Sequence, residues 1–384
     1  MKTPLVAFFL LAGCVSSRAG VIALDNPAGL GNQTFAGSVG MDFETGVEPI
    51  QITHFGSFDS GQDGFATART VSIYDRTAPG VPFATLTIPA GTGSTLINGS
   101  RFQAVGAPVT LPAGFKGSIV LNDVSVDAIH NQGVAPGALS TINNGGGLLQ
   151  FVGTGRFGGI GVYPGTADGG PANRYQAGTF QFQATTAAPK YLAYSVASGS
   201  VGAQNFGGPL GMDFDVGGSP VAMTHIGVFD SAQDGINGTL NAYIYNRDTQ
   251  TVLAGPFSFT GSSDPLIGAS RIRDIADVML PAGFHGSIVV EGYNAQEMVL
   301  NTGGTIPGGA GSLGNGNGLI SFTGGGRFGL NGPGTFPNNV DGGPANRYGA
   351  GTFAFQIPEP ASGFLLIGTL ALTGARRRAR ALRA

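Results

Sequence analysis

Two short acidic segments carry the residues best suited to binding a metal ion. One runs from Asp59 to Gly64 (DSGQDG), and the other runs from Asp230 to Gly235 (DSAQDG). Two carboxylates four residues apart, beside a turn, could supply oxygen ligands to Ca²⁺, although an EF-hand loop needs more acidic positions and a distal Glu. The alternative is a tight turn in which Asp accepts hydrogen bonds from backbone N–H groups. The candidate metal ligands are Asp59, Asp63, Asp230 and Asp234.

A second set of charged residues occurs twice in the same order. Arg156 follows a Gly-rich segment, Asp168 lies twelve residues later, and Arg174 comes directly before Tyr175. An Arg and an Asp retained in both places could line a ligand pocket, or could form an ion pair that pins a loop to the rest of the domain. Both interpretations apply to six residues: Arg156, Asp168, Arg174, Arg327, Asp341 and Arg347.

Other catalytic and nucleotide-binding motifs are weak or missing in the sequence. Residues 153–158 and 324–329 match GxGxxG, but a dinucleotide site needs a helix there, and the Gly-rich residues 159–165 cannot form one. The sequence has no GxSxG elbow, no GK[ST] and no His/Cys/carboxylate cluster with metal-site spacing. We therefore predict a protein that is not an enzyme and has no cofactor, with structural Ca²⁺ as the one ion considered.

These candidates must be positioned by a body that is duplicated. HFGSFDSGQDG, which begins at His54, recurs as HIGVFDSAQDG from His225, an offset of 171, and DGGPANRY recurs at Asp168 and Asp341, an offset of 173. Such small length differences belong in loops, and each copy is too long for a solenoid repeat. The sequence predicts two tandem domains over residues 20–185 and 190–357.

The composition favours β-structure in both copies. Of 384 residues, 68 are Gly and 23 are Pro, yet 42% are hydrophobic and 26 are Phe, so the chain can bury a core. Gly costs about 1 kcal/mol inside a helix. Each copy has about eight short apolar segments divided by Gly, Pro, Asp and Asn. We expect an all-β fold made of two tandem jelly-roll-like antiparallel β-sandwich domains.

The charge distribution argues against nucleic acid as a partner. The whole chain has a formal net charge of −3, but residues 20–357 hold 12 basic and 21 acidic residues, a net charge of −9. Nucleic-acid binding requires clustered basic residues. We therefore predict that the body does not bind nucleic acid.

Residues 1–19 have the features of a secretory signal peptide. A basic start precedes an apolar run over residues 5–15, and small residues lead to a cleavage point between Ala19 and Gly20. The run is too short for a transmembrane helix. In the alternative, LAGC ending at Cys14 resembles a bacterial lipoprotein box, whose Cys becomes acylated. Cys14 is the one cysteine of the chain, so the body has no disulfide.

The C-terminal segment, residues 358–384, combines three features. Pro358-Glu359-Pro360 comes first, an uncharged apolar stretch over residues 361–375 follows, and an Arg cluster comes last. This pattern predicts a short transmembrane helix with a cytoplasmic basic anchor. At about 1.5 Å per residue the helix is shorter than the ~30 Å hydrocarbon core. Its anchoring residues are Phe364, Leu365, Leu366, Ile367, Leu370, Leu372, Arg376, Arg377 and Arg378.

The order of these three features resembles the PEP-CTERM sorting signal of Gram-negative bacteria. The resemblance implies that signal peptidase and a membrane-embedded exosortase act on the chain during export, the latter near Pro358, Glu359 and Pro360. It implies transport across the inner membrane, transient membrane anchoring, and then release to or attachment at the cell surface, often beside exopolysaccharide. The alternative is a plain tail anchor, which accounts for the apolar stretch and the Arg cluster but not for Pro-Glu-Pro.

The body resembles β-sandwich domains of unknown function that recur in exported PEP-CTERM proteins. The expected role is structural or adhesive, in or near an extracellular polysaccharide such as a biofilm matrix. A glycan- or calcium-dependent binding module is the alternative, and a polysaccharide-active enzyme is the third possibility. Sugar rings commonly stack on exposed Trp or Tyr. The chain has no Trp and nine Tyr, which weakens the case for a glycan-binding module without removing it.

Overall fold

The structure is a computed structural model that describes residues 20–26, 29–133, 140–186, 188–301 and 311–358. Within these residues the protein is all-β, with 31 strands, two single-turn 3₁₀ segments (Ser60–Gln62 and Ser231–Gln233) and no α-helix. The sequence-based prediction of an all-β, sandwich-like protein with antiparallel sheets is therefore confirmed. The predicted leader and the predicted C-terminal helix lie outside the described residues.

The first copy contains sixteen of these strands. Nine of them have seven or more residues, close to the number expected from the sequence, and the rest are pairings of two or three residues too short to show a periodic pattern. They are β1 (Val21–Ile22), β2 (Leu24–Asp25), β3 (Gln33–Phe35), β4 (Ser38–Thr45), β5 (Ile50–Phe58), β6 (Arg69–Asp75), β7 (Pro82–Ile88), β8 (Thr95–Ile97), β9 (Ser100–Leu111), β10 (Lys116–Asn122), β11 (Val124–Asn131), β12 (Thr141–Ile142), β13 (Leu149–Gly158), β14 (Thr166–Ala167), β15 (Tyr175–Gln176) and β16 (Gly178–Ala184).

The second copy contains the other fifteen described strands, in an order that follows the first. They are β17 (Tyr191–Leu192), β18 (Tyr194–Ser195), β19 (Leu210–Val216), β20 (Val221–Phe229), β21 (Ile236–Asn246), β22 (Thr251–Gly261), β23 (Leu266–Ile267), β24 (Ser270–Leu280), β25 (His285–Glu291), β26 (Leu300–Asn301), β27 (Ser312–Leu313), β28 (Ile320–Phe328), β29 (Asn339–Val340), β30 (Tyr348–Gly349) and β31 (Gly351–Gln356).

Each copy builds one five-stranded and one six-stranded sheet with the same strand order. The five-stranded sheets run β1-β16-β5-β9-β8 and β17-β31-β20-β24-β23. The six-stranded sheets run β14-β13-β4-β10-β6-β7 and β29-β28-β19-β25-β21-β22. Every described sheet takes its strands from one copy alone. Several neighbouring strands, such as β4 and β13, are distant in sequence, so residues separated by more than 100 positions meet on one surface.

The core of each copy lies between its two large sheets and is rich in Phe. Phe43 on β4 packs against Phe180 on β16, with 5.2 Å between ring centroids. Phe214 on β19 packs against Phe353 on β31 at 4.8 Å. All four side chains are fully buried. Aromatic pairs at these distances add to the free energy gained from burying apolar surface, so the two copies are stabilised in the same way.

The two copies also contact each other directly. The backbone N–H of Gly316 donates to the carbonyl of Gly146 at 2.9 Å. Glu44 of the first copy accepts the N–H of Ser198 at 3.1 Å, and the Ser195 hydroxyl donates to Gln150 at 2.7 Å. The contact surface therefore combines closely approaching glycine backbones with buried polar side chains.

Candidate functional site

Asp59, the first candidate metal ligand, is buried in an ion pair. Its Oδ2 accepts a hydrogen bond from Nε of Arg101 at 2.6 Å, and both of its oxygens accept from the N–H of Gly64 at 3.2 and 3.3 Å. Gly64 has φ = +101°, a conformation that favours glycine. The remaining guanidinium nitrogens of Arg101 donate to three backbone carbonyls, those of Gln62, Thr92 and Ser94.

Asp230 occupies the same environment in the second copy. Nε of Arg271 donates to Asp230 at 2.6 Å, and the N–H of Gly235 lies 3.2 and 3.3 Å from its two oxygens. Gly235 has φ = +107°. The other guanidinium nitrogens again reach three carbonyls, those of Gln233, Ser262 and Asp264. The DSxQDG segment is therefore one half of an Asp–Arg clamp that joins two loops to a strand.

The other two candidate ligands, Asp63 and Asp234, are exposed at the ends of these turns. Among the described residues, no group of three or more His, Cys, Asp or Glu side chains is arranged to hold a metal ion. A guanidinium 2.6 Å from the buried carboxylate takes the position that a cation would need. Of the two sequence interpretations, this geometry favours the tight turn, and unfolding measured with added Ca²⁺ tests the metal site.

Asp168 is the centre of a hydrogen-bonded cluster that holds the last loop of the first copy. It accepts hydrogen bonds from Nη1 of Arg174, from the N–H of Gly170 at 2.9 Å and from the Tyr175 hydroxyl at 2.5 Å. Nε of Arg174 donates to Asn131 at 2.9 Å. Burial opposes ionisation of Asp168, but the bonds from Tyr175, Gly170 and Arg174 together lower its pKa. Burial, with the Asp168 carboxylate, raises the pKa of Tyr175 to about 12.

Asp341 forms the same cluster in the second copy. It accepts from Nη1 of Arg347 at 2.7 Å, from the N–H of Gly343 at 2.7 Å and from the Tyr348 hydroxyl at 2.5 Å. Nε of Arg347 donates to Asn301 at 2.8 Å. The hydrogen bond from Tyr348, with those from Gly343 and Arg347, lowers the pKa of Asp341. Of the two sequence interpretations, this geometry matches the ion pair that pins a loop.

Arg156 is not part of that loop-pinning pair. Its Nε donates to both carboxylate oxygens of Asp42, at 2.9 and 2.8 Å. The Ser118 hydroxyl also donates to Asp42, and Nη1 of Arg76 lies 3.8 Å from Oδ2 of Asp42. The sequence-based pairing of Arg156 with Asp168 is therefore replaced by two pairs, Arg156 with Asp42 and Arg174 with Asp168.

Arg327 repeats the arrangement in the second copy. Its Nε lies 2.8 and 2.7 Å from the two oxygens of Asp213. Ser287 donates to the same carboxylate, and Nη1 of Arg247 lies 3.5 Å from it. The Arg327 guanidinium also lies over the ring of Phe336, 5.2 Å from its centroid. Each six-stranded sheet thus carries an Asp between two Arg side chains and a Ser.

These sheet clusters involve residues that the sequence-based candidate set did not include. Asp42 comes from β4, Ser118 from β10 and Arg156 from β13, three adjacent strands of one sheet. A usable signal was present, because the tetrapeptide GMDF at Gly40 recurs at Gly211 with its Asp intact. An Asp that accepts several charged and hydroxyl donors links strands, and its oxygens are occupied by internal partners rather than by a ligand.

Each copy also buries a titratable side chain outside these clusters. His130 is buried, and neither ring nitrogen has a hydrogen-bond partner. Its ring centroid lies 4.3 Å from that of Phe58, and burial lowers its pKa. The second copy has Leu300 at the position equivalent to His130. Glu297 of the second copy accepts the N–H groups of Ser231 and Asn237 at 2.7 and 2.9 Å, and burial raises its pKa.

A cleft of about 420 Å³ opens between the copies. Its lining includes Phe151 and the amides of Asn144 and Gln150. Both amides are engaged across the contact, since Nδ2 of Asn144 donates to the carbonyl of Leu313 at 2.9 Å and Gln150 accepts from Ser195. These two amides therefore join the copies rather than remaining free to orient a ligand.

The predicted processing and anchoring residues are mostly outside the described part of the chain. Gly20 and Pro358 are described, and both are partly exposed at the ends of the β-rich body. No helix within the described residues is long and apolar enough to cross a membrane. Outside those residues lie Cys14, Ala19, Glu359, Pro360 and the anchoring residues between Phe364 and Arg378.

Comparison with known proteins adds little to this geometry. No protein-family model matches the chain, and no curated protein matches it. Among solved structures, the chain is similar to one described as the structure of infectious bursal disease virus Gx strain, at 13% identity over 92% of this chain and 93% of that chain. The TM-score of that superposition is 0.18, too low to support a shared fold or function.

Proposed function

We propose that the chain is an exported, exosortase-processed protein of the cell surface or extracellular matrix of a Gram-negative bacterium. Its role is structural or adhesive, near exopolysaccharide. The proposal depends first on the tail, in which Pro358 begins a Pro-Glu-Pro tripeptide followed by an apolar stretch and an Arg cluster. Signal peptidase and exosortase are the partners during export, and the membrane holds the chain until processing.

The finer architecture belongs to the same proposal. A signal peptide occupies residues 1–19, and two tandem jelly-roll-like sandwiches occupy residues 20–185 and 190–357. The sorting signal covers residues 358–384, with its membrane helix at 361–375. Identical strand orders in the two halves support the tandem arrangement, because each unit builds both of its large sheets from its own strands.

The observation that supports a structural role most directly is that both copies contain the same three Asp–Arg ion pairs. The carboxylates of Asp59, Asp42 and Asp168 are each bonded to an Arg of the same copy, and Asp230, Asp213 and Asp341 repeat the three pairs. Removing one partner of a buried pair is strongly destabilising. Retention of these residues in both copies is thus accounted for by folding, without a reaction or a ligand.

The roles can be separated with polysaccharide from the native host. The purified protein is mixed with that exopolysaccharide, and co-sedimentation and release of new sugar ends are measured in parallel. For a structural role we expect no saturable binding and no new sugar ends, together with a weaker surface layer in cells that lack the protein. Saturable binding without new sugar ends would favour the glycan-binding module, and new sugar ends would show an enzyme. An unchanged layer would contradict the structural role.

A further inference from the structure

One edge of the six-stranded sheet in the first copy is long, uncharged and open. β7 (Pro82–Ile88) is the last strand of that sheet and pairs with β6 on one side only, within the described residues. Its segment from Phe83 to Ile88 reads FATLTI, with no charge, no Pro and no Gly. Exposed edge strands of this composition present unpaired N–H and C=O groups to any strand that approaches.

The other edges of the large sheets are very short or interrupted, whereas the one Pro of β7, Pro82, is its first residue and leaves Phe83 to Ile88 uninterrupted. β1, β14, β17, β23 and β29 have two residues each, and β8 has three. The equivalent edge of the second copy, β22, is longer, but Gly255 and Pro256 interrupt it. Pro has no N–H to donate and normally blocks the pairing of an edge. Among the described strands, β7 is therefore the edge best suited to pairing.

We propose that β7 pairs antiparallel with β7 of a second copy of this chain. The pairing would join two six-stranded sheets into one continuous sheet across a two-fold axis. This inference extends the proposed surface or matrix role, since it names the second copy of the chain as the partner.

The chemistry of the edge favours a second copy over an unrelated partner. A two-fold axis pairs each residue of this edge with a residue of the identical strand, so an edge with charges of one sign would repel itself, whereas β7 carries no charge. Thr85 and Thr87 lie on the outer face, where their hydroxyls already contact Ser72 at 2.9 Å and Thr70 at 3.1 Å. Cross-strand Thr pairs stabilise antiparallel sheets, so pairing extends an existing row of hydroxyl groups.

The net charge of residues 20–357 predicts how dimerisation through β7 depends on salt. Residues 20–357 carry a net charge of −9, so two copies repel each other at long range while their neutral edges attract at contact. Salt screens the repulsion between exposed charges. Dimerisation through β7 should therefore strengthen as ionic strength rises, whereas an interface held by exposed ion pairs would weaken.

The test compares two matched variants of the mature protein from the host. Thr87→Lys places a charge on β7. Ser258→Lys places the same charge at the corresponding position of β22, where Ser258 is also exposed and bonds Asn241 across the strand pair. Sedimentation velocity should show a concentration-dependent dimer for the natural protein and for Ser258→Lys. Thr87→Lys should weaken the dimer by about tenfold or more.

Hydrogen exchange locates the interface in the same samples. The amides of residues 83–88 should exchange more slowly as the natural protein dimerises, and should stay fast in Thr87→Lys. Thermal unfolding must be similar for both variants, which shows that the sheet has formed. A natural protein that stays monomeric, protection elsewhere, or equal dimerisation of both variants would overturn the inference. A protein that dimerises through β7 but is absent from the cell surface and the matrix would support this inference and contradict the proposed function.

Discussion

Nε of Arg101 lies 2.6 Å from the carboxylate of Asp59, and Arg271 meets Asp230 at the same distance. Each Arg also reaches carbonyls in two loops, so one side chain fixes the turn, the following loop and the start of a strand. Asp59 and Arg101 are 42 residues apart in sequence, whereas Asp230 and Arg271 are 41 residues apart. The clamp is therefore intact in both copies despite this difference in length.

Breaking the clamp should destabilise the protein strongly. Arg101→Ala leaves the Asp59 carboxylate buried without its cation, which costs about 3–5 kcal/mol. Asp63→Asn, in the same turn but exposed, should change the free energy of unfolding by no more than about 0.5 kcal/mol. Thermal and denaturant unfolding measure both. Equal effects from the two variants would show that the buried pair does not hold the turn.

Added Ca²⁺ should leave the melting temperature unchanged. The reason is that Asp59 and Asp230 are already paired with guanidinium groups, while Asp63 and Asp234 are exposed. A ligand that binds only the folded state raises stability by mass action, so the measurement is thermal unfolding with Ca²⁺ and with a chelator. A Ca²⁺-dependent rise that disappears in the double variant Asp63→Asn, Asp234→Asn would establish the metal site.

The sequence predicts the fold better than the site. Strands form from residues that are close together in the sequence, whereas the site combines residues that are far apart in it. Strand segments and the duplication are visible in local patterns and in repeat offsets of 171 and 173 residues, and the sheet order repeats in the same way. The partner of Arg156 is Asp42, 114 residues away and on the adjacent strand. Only the pairing of β13 with β4 brings the two together. Asp168 and Arg174 are only six residues apart, yet the sequence-based pairing joined Asp168 with Arg156, because the sequence does not show which Arg turns toward the carboxylate.

Acid should destabilise the first copy through His130. Burial lowers its pKa in the folded state, so the unfolded chain takes up a proton first as pH falls below about 6.5. Stability is unaffected above that pH and declines below it. His130→Leu, which installs the residue of the second copy, should reduce the loss measured between about pH 7.5 and pH 5.

A matched control for this prediction is Val126→Leu, because Val126 is an exposed residue of the same strand and the change removes no titratable group. It should show the same acid sensitivity as the natural protein. His225, whose pKa is also lowered by burial, remains in both variants and keeps part of the response. If His130→Leu loses stability with pH as steeply as Val126→Leu, the unpaired imidazole is not the cause.

Glu44 should hold the two copies together. It is buried and accepts hydrogen bonds from Arg76 at 2.6 Å, from the N–H of Ser198 at 3.1 Å and from Gln150 at 3.3 Å. Glu44→Ala should lower the free energy of unfolding by about 2–4 kcal/mol. Asp215→Ala, at the equivalent place in the second copy but one-third exposed, should cost at most about 1 kcal/mol. Calorimetry that ranks the two variants the other way would contradict this role.

The tail should act as a processing signal that requires Glu359. Pro fixes φ and biases the residue before it toward extended backbone, so we expect the tripeptide to suit a protease that binds an extended segment. Glu359→Ala in the native host should therefore yield a larger species retained in the membrane. Glu48→Ala, a change in the body, is the control and should leave processing unaffected. Equal sizes for the natural chain and Glu359→Ala would argue against recognition of the tripeptide.

The intact mass of the surface or secreted protein shows whether the tail is removed. We expect a mature chain that begins near Gly20 and ends near Pro358, without Arg376, Arg377 and Arg378. Those Arg residues should stay on the cytoplasmic side until cleavage. A recovered protein that still ends at Ala384 would rule out exosortase processing, because the tail would then be a permanent membrane anchor rather than a sorting signal.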